Sequence, residues 1–103
     1  MMITEVSQIK PGMTLFDTVN TNSYKDITQV TVVGETISHR EMCDIEGIAF
    51  YNGDRMNTLR WVKLRDQRNH EKWSSLGDRG IESKHNNNRF FTTREEAEAH
   101  LKS

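Results

Sequence analysis

The chain of 103 residues has little of several residue types, and each shortage narrows the class of protein. It contains one cysteine, Cys43, so an intramolecular disulfide framework is excluded and a reducing compartment is expected. The hydrophobic fraction of 34% predicts a small core, a polar surface and at least one mobile loop. No segment approaches membrane-spanning length, and the first residues do not combine a basic region with an apolar run. We therefore expect one cytoplasmic domain over residues 1–103 that does not associate with membranes.

Residues with catalytic or metal-binding chemistry are scarce and poorly spaced. His39 and Cys43 are four apart and would share a helix face, but a closed zinc site needs two more ligands and the other histidines show no paired spacing. Cys43 as a nucleophile would need a histidine partner. Gly77 and Gly80 lack the Lys-Ser/Thr that follows a phosphate-binding loop. The sequence thus predicts no enzyme, no cofactor and no metal site, with zinc binding and thiol chemistry as the lesser alternatives.

The chain as a whole has almost no net charge, but two of its segments are strongly charged. The net charge is −1, yet residues 1–54 carry −5, from three cations and eight acids. Residues 55–72 carry +4, from six cations and two acids, and the remaining residues balance. An acidic half followed by a basic segment is the main electrostatic signal in the sequence.

Strand signals dominate the first two thirds of the chain. Pro11-Gly12 predicts a type II turn that leads into a strand through Val19, and the β-branched residues 27–33 predict a second strand with Val30 and Val32 on one face. Residues 35–44 fit either a continued strand or a short helix.

Two further strands are predicted over residues 45–51 and 59–64. The pair Asn52-Gly53 favours a hairpin turn, but the polar residues 54–58 favour a longer connection.

The last third of the chain divides into a polar stretch and a helix. Residues 66–89 hold charges, Asn, Ser and Gly, relieved only by Trp73, Leu76 and Ile81, which predicts a long or mobile loop. A helix is predicted over residues 94–102, because Thr93 and Glu96 have the spacing of a capping box. The Thr93 side chain can cap the helix, and the Glu96 side chain can accept a hydrogen bond from the Thr93 amide. Its narrow apolar stripe requires packing, which we expect through Leu101 and the adjacent Phe90 and Phe91.

Short antiparallel strands followed by one terminal helix predict a mainly β (α+β) fold, a small SH3-like antiparallel barrel closed by a C-terminal helix. The ending Phe-Thr-Thr-Arg-Glu-Glu-Ala-Glu-Ala (residues 91–99) resembles that of small uncharacterised accessory proteins of tailed bacteriophages. This resemblance covers about a dozen residues and implies a small interaction protein with no catalytic residues. An unpaired sheet edge would also make a homodimer easy to form.

The basic segment is the main candidate for a binding surface. If Val62 and Leu64 face the core, Trp61 points outward beside Lys63, an arrangement that suits stacking and phosphate binding. In the opposite arrangement Trp61 is buried and the charges are solvated. Trp73 is either an anchor for the loop or a contact residue. The predicted partner-binding residues are Arg60, Trp61, Lys63, Arg65, Arg68 and Trp73.

The sequence therefore predicts a non-enzymatic binding module, of phage type, that attaches to a host or viral protein. The alternative is a nucleic-acid-binding protein that uses the basic segment 55–73. An acidic front half favours a protein partner, because it would repel a phosphate backbone near the basic face.

Overall fold

The computed structural model describes residues 1–102, and Ser103, at the end of the predicted domain, lies outside the described residues. Over these described residues the five strands are β1 (Thr14–Asn20), β2 (Lys25–Ser38), β3 (Arg60–Asp66), β4 (Glu71–Ser75) and β5 (Phe90–Phe91). In the same part of the chain the two helices are α1 (His39–Glu46) and α2 (Arg94–Leu101), and 3₁₀ turns cover Val6–Gln8, Arg55–Thr58 and Leu76–Arg79. The fold is mainly β and α+β, as predicted, and residues 1–102 contain two helices rather than the one predicted.

The strands form one antiparallel sheet in the order β4-β3-β2-β1-β5. Within residues 1–102, β4 and β5 are the two edges and do not pair with each other, so the sheet is open and the predicted barrel is not confirmed. The β5 edge is partly covered, since Met2 bridges Phe91 and the Ile3 amide donates to the Phe90 carbonyl at 2.9 Å. Among the described residues, no strand or isolated bridge pairs with the outer edge of β4.

One face of the sheet carries the core. Leu15 pairs with Val30 and Val32 with Leu64, and each of these side chains is at most 2% exposed. Val30 and Val32, which were predicted to share one face of the second strand, therefore both lie on the core face. Segments outside the sheet close this core through Ile3, Ile9 and Leu76.

The predicted Pro-Gly turn is confirmed at the start of β1. Gly12 has φ +82°, and the Met13 amide donates to the Lys10 carbonyl at 3.2 Å, as a type II turn requires. β2 is longer than predicted because it continues past an irregularity between Val33 and Ile37, where Gly34 has φ +83°.

Helix α1 resolves the ambiguity over residues 35–44, since the strand ends at Ser38 and the helix starts at the next residue. The Ser38 hydroxyl accepts from the Glu41 amide at 3.1 Å, and Gly47, with φ 67°, ends the helix. The strand predicted over residues 45–51 is wrong, because these residues form the last turn of α1 and an irregular connection.

The loop predicted over residues 66–89 is interrupted by structure. β4 pairs with β3 through five register positions, and a 3₁₀ turn follows it directly. The one large hydrophobic residue of this strand, Trp73, pairs with Lys63 and points to the face opposite the core, so the strand shows no apolar alternation in the sequence.

Helix α2 starts at the predicted residue and ends at Leu101, one residue before the predicted end. The Thr93 hydroxyl accepts from the Glu96 amide at 3.3 Å, and the helix packs with Ala97 fully buried near Phe90 and Phe91. Leu101 is only partly buried. Over residues 1–102, neither helix has the length and apolar character needed to span a bilayer.

Candidate functional site

The alternation of β3 divides its side chains between the two faces of the sheet. Val62 and Leu64 are at most 1% exposed and lie in the core. Trp61 and Lys63 therefore point to the opposite face, which is the outward arrangement considered from the sequence. The register pairs Lys63 with Trp73 of β4, so these two side chains are neighbours on that face.

Helix α1 lies over this second face and leaves a groove between itself, β3 and β4. The groove encloses about 560 Å³. Two tryptophans, two hydrophobic residues of the α1 region and four charged residues line it. We call it the tryptophan groove, and its residues are Met42, Glu46, Ile48, Trp61, Lys63, Glu71, Lys72 and Trp73.

The two tryptophans hold α1 against the sheet. The Trp61 ring stacks on the His39 ring at a centroid distance of 5.7 Å and an interplanar angle of 25°. The Trp73 indole N–H donates to Glu46 Oε1 at 2.5 Å. The Trp61 indole N–H is buried and has no acceptor within the part of the chain that the structure describes. Trp73 thus anchors α1 and also lines the groove.

Acidic neighbours surround the cations of the groove. Lys63 Nζ lies 3.9 Å from Glu46 Oε1 and 3.8 Å from Glu71 Oε1, and 5.2 Å from the Trp73 ring centroid. The Arg65 guanidinium donates two hydrogen bonds to Glu71 Oε2, at 3.0 and 2.8 Å. Because these carboxylates offset the positive charge, the groove is not the uncompensated cationic surface that phosphate binding favours.

The six predicted partner-binding residues are divided by the fold. Trp61, Lys63 and Trp73 line the groove, and Arg65 borders it through Glu71. Arg60 is directed elsewhere, since its guanidinium donates to the Thr36 carbonyl at 2.8 Å. Arg68 lies outside the groove, exposed in the turn between β3 and β4.

The turn that carries Arg68 is held by Asp66. Its Oδ1 accepts from the backbone amides of His70 and Arg68, at 3.0 and 2.8 Å, and Asn69 has φ 65°. The hydrogen bond from the His70 amide is the main reason that the pKa of Asp66 lies below its usual value, and the Arg68 amide lowers it further. The turn therefore presents its basic residues from a defined backbone.

Comparison with protein families agrees with the resemblance to phage proteins noted from the sequence. Residues 3–103 match the model of the family described as Phage g100-like protein. The chain belongs to this family. Comparison with curated proteins and with solved structures found no significant match.

In this Phage g100-like protein, sequence reasoning missed most of the α1 side of the groove. Met42, Glu46 and Ile48 were assigned to an ambiguous segment or to a strand, and Glu71 and Lys72 to a loop. Two sequence signals mark α1. Ser38 and Glu41 have capping-box spacing, and Gly47 stands where a helix ends.

The fold of the g100-like chain places His39 and Cys43 together but buries them. His39 Nε2 lies 3.5 Å from Cys43 Sγ, and its Nδ1 lies 2.7 Å from Asn57 Oδ1. Cys43 is 1% exposed and His39 is 9% exposed. Among residues 1–102, no group of three potential metal-ligating side chains is found. The pair packs behind Trp61 as part of the support for the groove.

A second cavity of the g100-like chain brings together a serine, a histidine and an aspartate. Ser83 Oγ lies 3.1 Å from His85 Nδ1, and His85 Nε2 lies 3.2 Å from Asp78 Oδ1. The His85 and Asp78 side chains are 56% and 52% exposed. Water competes for these contacts at such exposure, so we interpret them as a solvated surface network.

Proposed function

We propose that this g100-like protein is a small non-enzymatic binding module that attaches to a host or viral protein through the tryptophan groove. The observation that carries the proposal is the pair of partly exposed tryptophans, Trp61 and Trp73, in one concave surface with Met42 and Ile48. Tryptophan in a pocket bordered by polar groups is the side chain most often dominant at protein interfaces. The charged rim of Lys63, Lys72 and Glu71 would give orientation rather than affinity.

The alternative, binding of nucleic acid by the basic segment, is less favoured by the local charges. Lys63 and Arg65 have carboxylates beside them, and a phosphate backbone approaching Trp73 would also meet Glu46 and Glu71. We further propose that the protein acts in the cytoplasm, a reducing compartment in which a free, buried thiol such as that of Cys43 is expected. The open edge of β4 supports a homodimer as a further proposal.

The test is affinity capture from a host lysate and from a lysate of infected cells, followed by measurement of Kd for the recovered protein. Trp73→Ala should weaken binding by at least about 2 kcal/mol, or roughly thirtyfold in Kd. Tyr24→Ala is the matched control, because Tyr24 is an aromatic that is 58% exposed and lies outside the groove. Circular dichroism and an unfolding curve verify that both variants fold. Equal affinity of both variants for the partner would refute the groove as the binding site.

A further inference from the structure

Three exposed hydrophobic residues lie at and just after the end of α1, and one of them also lines the tryptophan groove. Ile45, Ile48 and Tyr51 are 61%, 55% and 71% exposed and fall within seven residues of one another. Ile48 also lines the groove. Single exposed hydrophobic residues are ordinary, but a cluster bordered by polar residues is typical of an interaction surface. We call these three residues the apolar strip.

Backbone hydrogen bonds hold the apolar strip in place. After the left-handed Gly47, the Ile48 amide donates to the Cys43 carbonyl at 2.9 Å. The Tyr51 carbonyl accepts from the Asp54 amide at 3.2 Å and from Asn57 Nδ2 at 3.0 Å. The fold therefore keeps the strip exposed, although isoleucine and tyrosine would gain from burial.

The segment that carries the apolar strip is acidic, although Arg40 lies over the Phe50 ring at 5.1 Å from its centroid. Residues 41–54 contain four acids and no lysine or arginine. Asp44 and Glu46 stand at the C-terminal end of α1, where the helix dipole is already negative and where no basic residue occurs in the last turn. Glu46 is near Lys63, but the Asp44 side chain has no ion pair within residues 1–102. Asp44 is therefore the carboxylate at this helix end with which a cation of a partner could pair.

We infer that the apolar strip docks a protein segment that presents lysine or arginine next to apolar side chains. This inference rests on the proposed function and specifies the chemistry of the partner. The apolar side chains of the segment would cover Ile45, Ile48 and Tyr51. Its cations would meet Asp44 at the end of α1, so that charge and apolar surface are complementary at the same place.

The experiment uses two synthetic amphipathic helical peptides, one with leucine and lysine faces and one with glutamate in place of lysine. Binding to the full chain is measured by calorimetry, and the contact surface is mapped by NMR chemical shifts. We expect the leucine–lysine peptide to bind and to shift residues 44–51, and the leucine–glutamate peptide not to bind. Failure of the leucine–lysine peptide to bind, or shifts spread evenly over the acidic surface, would overturn the inference.

Two charge reversals separate a local contact from general attraction. Asp44→Lys should weaken peptide binding roughly tenfold, although it should raise the unfolding midpoint by placing a cation at the negative end of α1. Glu98→Lys, on the exposed face of α2, changes the net charge equally and should leave binding nearly unchanged. Equal weakening by both variants would also overturn the inference.

A third variant separates this inference from the proposed function. Ile45→Ser/Tyr51→Ser removes apolar area without touching the residues of the tryptophan groove. It should weaken binding of both the peptide and the captured partner. If the captured partner requires Trp73 but not Ile45, Tyr51 or Asp44, the inference fails and the proposed function stands. If Trp73→Ala also has no effect, the proposed function fails as well.

Discussion

Asp17 and Arg79 form a buried ion pair on the core face of the sheet. Arg79 Nε lies 2.6 Å from Asp17 Oδ1 and Nη2 lies 3.1 Å from Oδ2, with the side chains 12% and 5% exposed. The guanidinium also lies 5.5 Å from the centroid of the Phe90 ring. Each charge is tolerated there because the other compensates it. Nothing in the sequence indicates the pair, since the residues are 62 positions apart and Arg79 stands in a polar stretch.

Removing one partner of this pair should be more harmful than removing both. Asp17→Ala leaves the Arg79 charge buried without a counterion and should cost about 3–5 kcal/mol of the free energy of unfolding. Asp17→Ala/Arg79→Met removes both charges and should cost less. Urea unfolding of the three chains measures the difference. A double variant less stable than the single one would show that the pair does not behave as a coupled unit.

Asp66 should make stability depend on pH in the acid range. Its pKa is lowered in the fold, mainly by the His70 amide, whereas in the unfolded chain it returns to about 3.9. The contribution is therefore fully present above the unfolded pKa and is lost as pH falls through the folded pKa. The pKa of Glu96 is also lowered, mainly by a hydrogen bond from the N-terminal ammonium group, so it acts in the same direction.

Substitution by the amide separates the two carboxylates. Asp66→Asn retains an oxygen that can accept from the turn amides but does not titrate, so the fall of the unfolding midpoint between about pH 5 and pH 2 should become shallower. Glu96→Gln should flatten it independently, because the two residues lie in different elements. The measurement is the urea midpoint at a series of pH values. An unchanged pH profile in Asp66→Asn would contradict the role given to the turn.

At the scale of secondary-structure elements, the sequence predicted the structure correctly where local residue chemistry and burial favour the same conformation. Pro11-Gly12 predicted the turn into β1, alternating Val30 and Val32 predicted a strand with both residues on one face, and Thr93 predicted the start of α2. In these places the residue pattern and the final environment require the same conformation.

The missed elements are those in which one of these signals is weak. α1 has a capping pair and a terminal glycine, but Ile45, Ile48 and Tyr51 suggested a strand because apolar residues are expected to be buried. β4 shows no alternation of apolar residues, because polar Ser74 and Lys72 occupy the positions opposite core residues Val62 and Leu64. Because α1 and β4 form two sides of the candidate site, the sequence did not predict that site completely. The alternation along β3 predicts that Trp61 and Lys63 share a face of the sheet. Only the strand order and the position of α1 show that Trp73 and Glu46 lie beside them.

The N-cap of α2 can be used to test whether this helix is integral to the fold. Thr93→Ala should destabilise the protein by about 0.5–2 kcal/mol, because the hydroxyl that accepts from the Glu96 amide is lost. Thr93→Ser retains the hydroxyl and should recover most of the loss. Leu101→Ala should cost less than the roughly 2–5 kcal/mol of a fully buried leucine, since Leu101 is only partly buried. Chemical denaturation of all three variants checks these values, and wild-type stability in Thr93→Ala would mean that α2 is not integral to the fold.

Across the whole molecule, charge and apolar surface are arranged around one groove. The acidic end of α1 and the apolar strip lie on one side, and β3 and β4 with their cations lie on the other. Glu46 links the two sides through Trp73 and Lys63. A protein partner can match both signs along its surface, whereas a nucleic acid presents only negative charge.

This arrangement predicts how binding should respond to salt. For a nucleic-acid complex the slope of log K against log salt would be about −0.9 for each phosphate neutralised in a duplex, and the loss of one phosphate contact would reduce it by about one. For a protein complex anchored by Trp61 and Trp73 we expect a mild dependence, because burial of apolar area is not screened. Kd for the captured partner, measured across a salt series for wild type, Trp73→Ala and Arg68→Ala, distinguishes the two. Arg68 is the informative control, since it is exposed and lies outside the groove. A steep slope that falls by one in Arg68→Ala, with little effect of Trp73→Ala, would establish the nucleic-acid alternative instead.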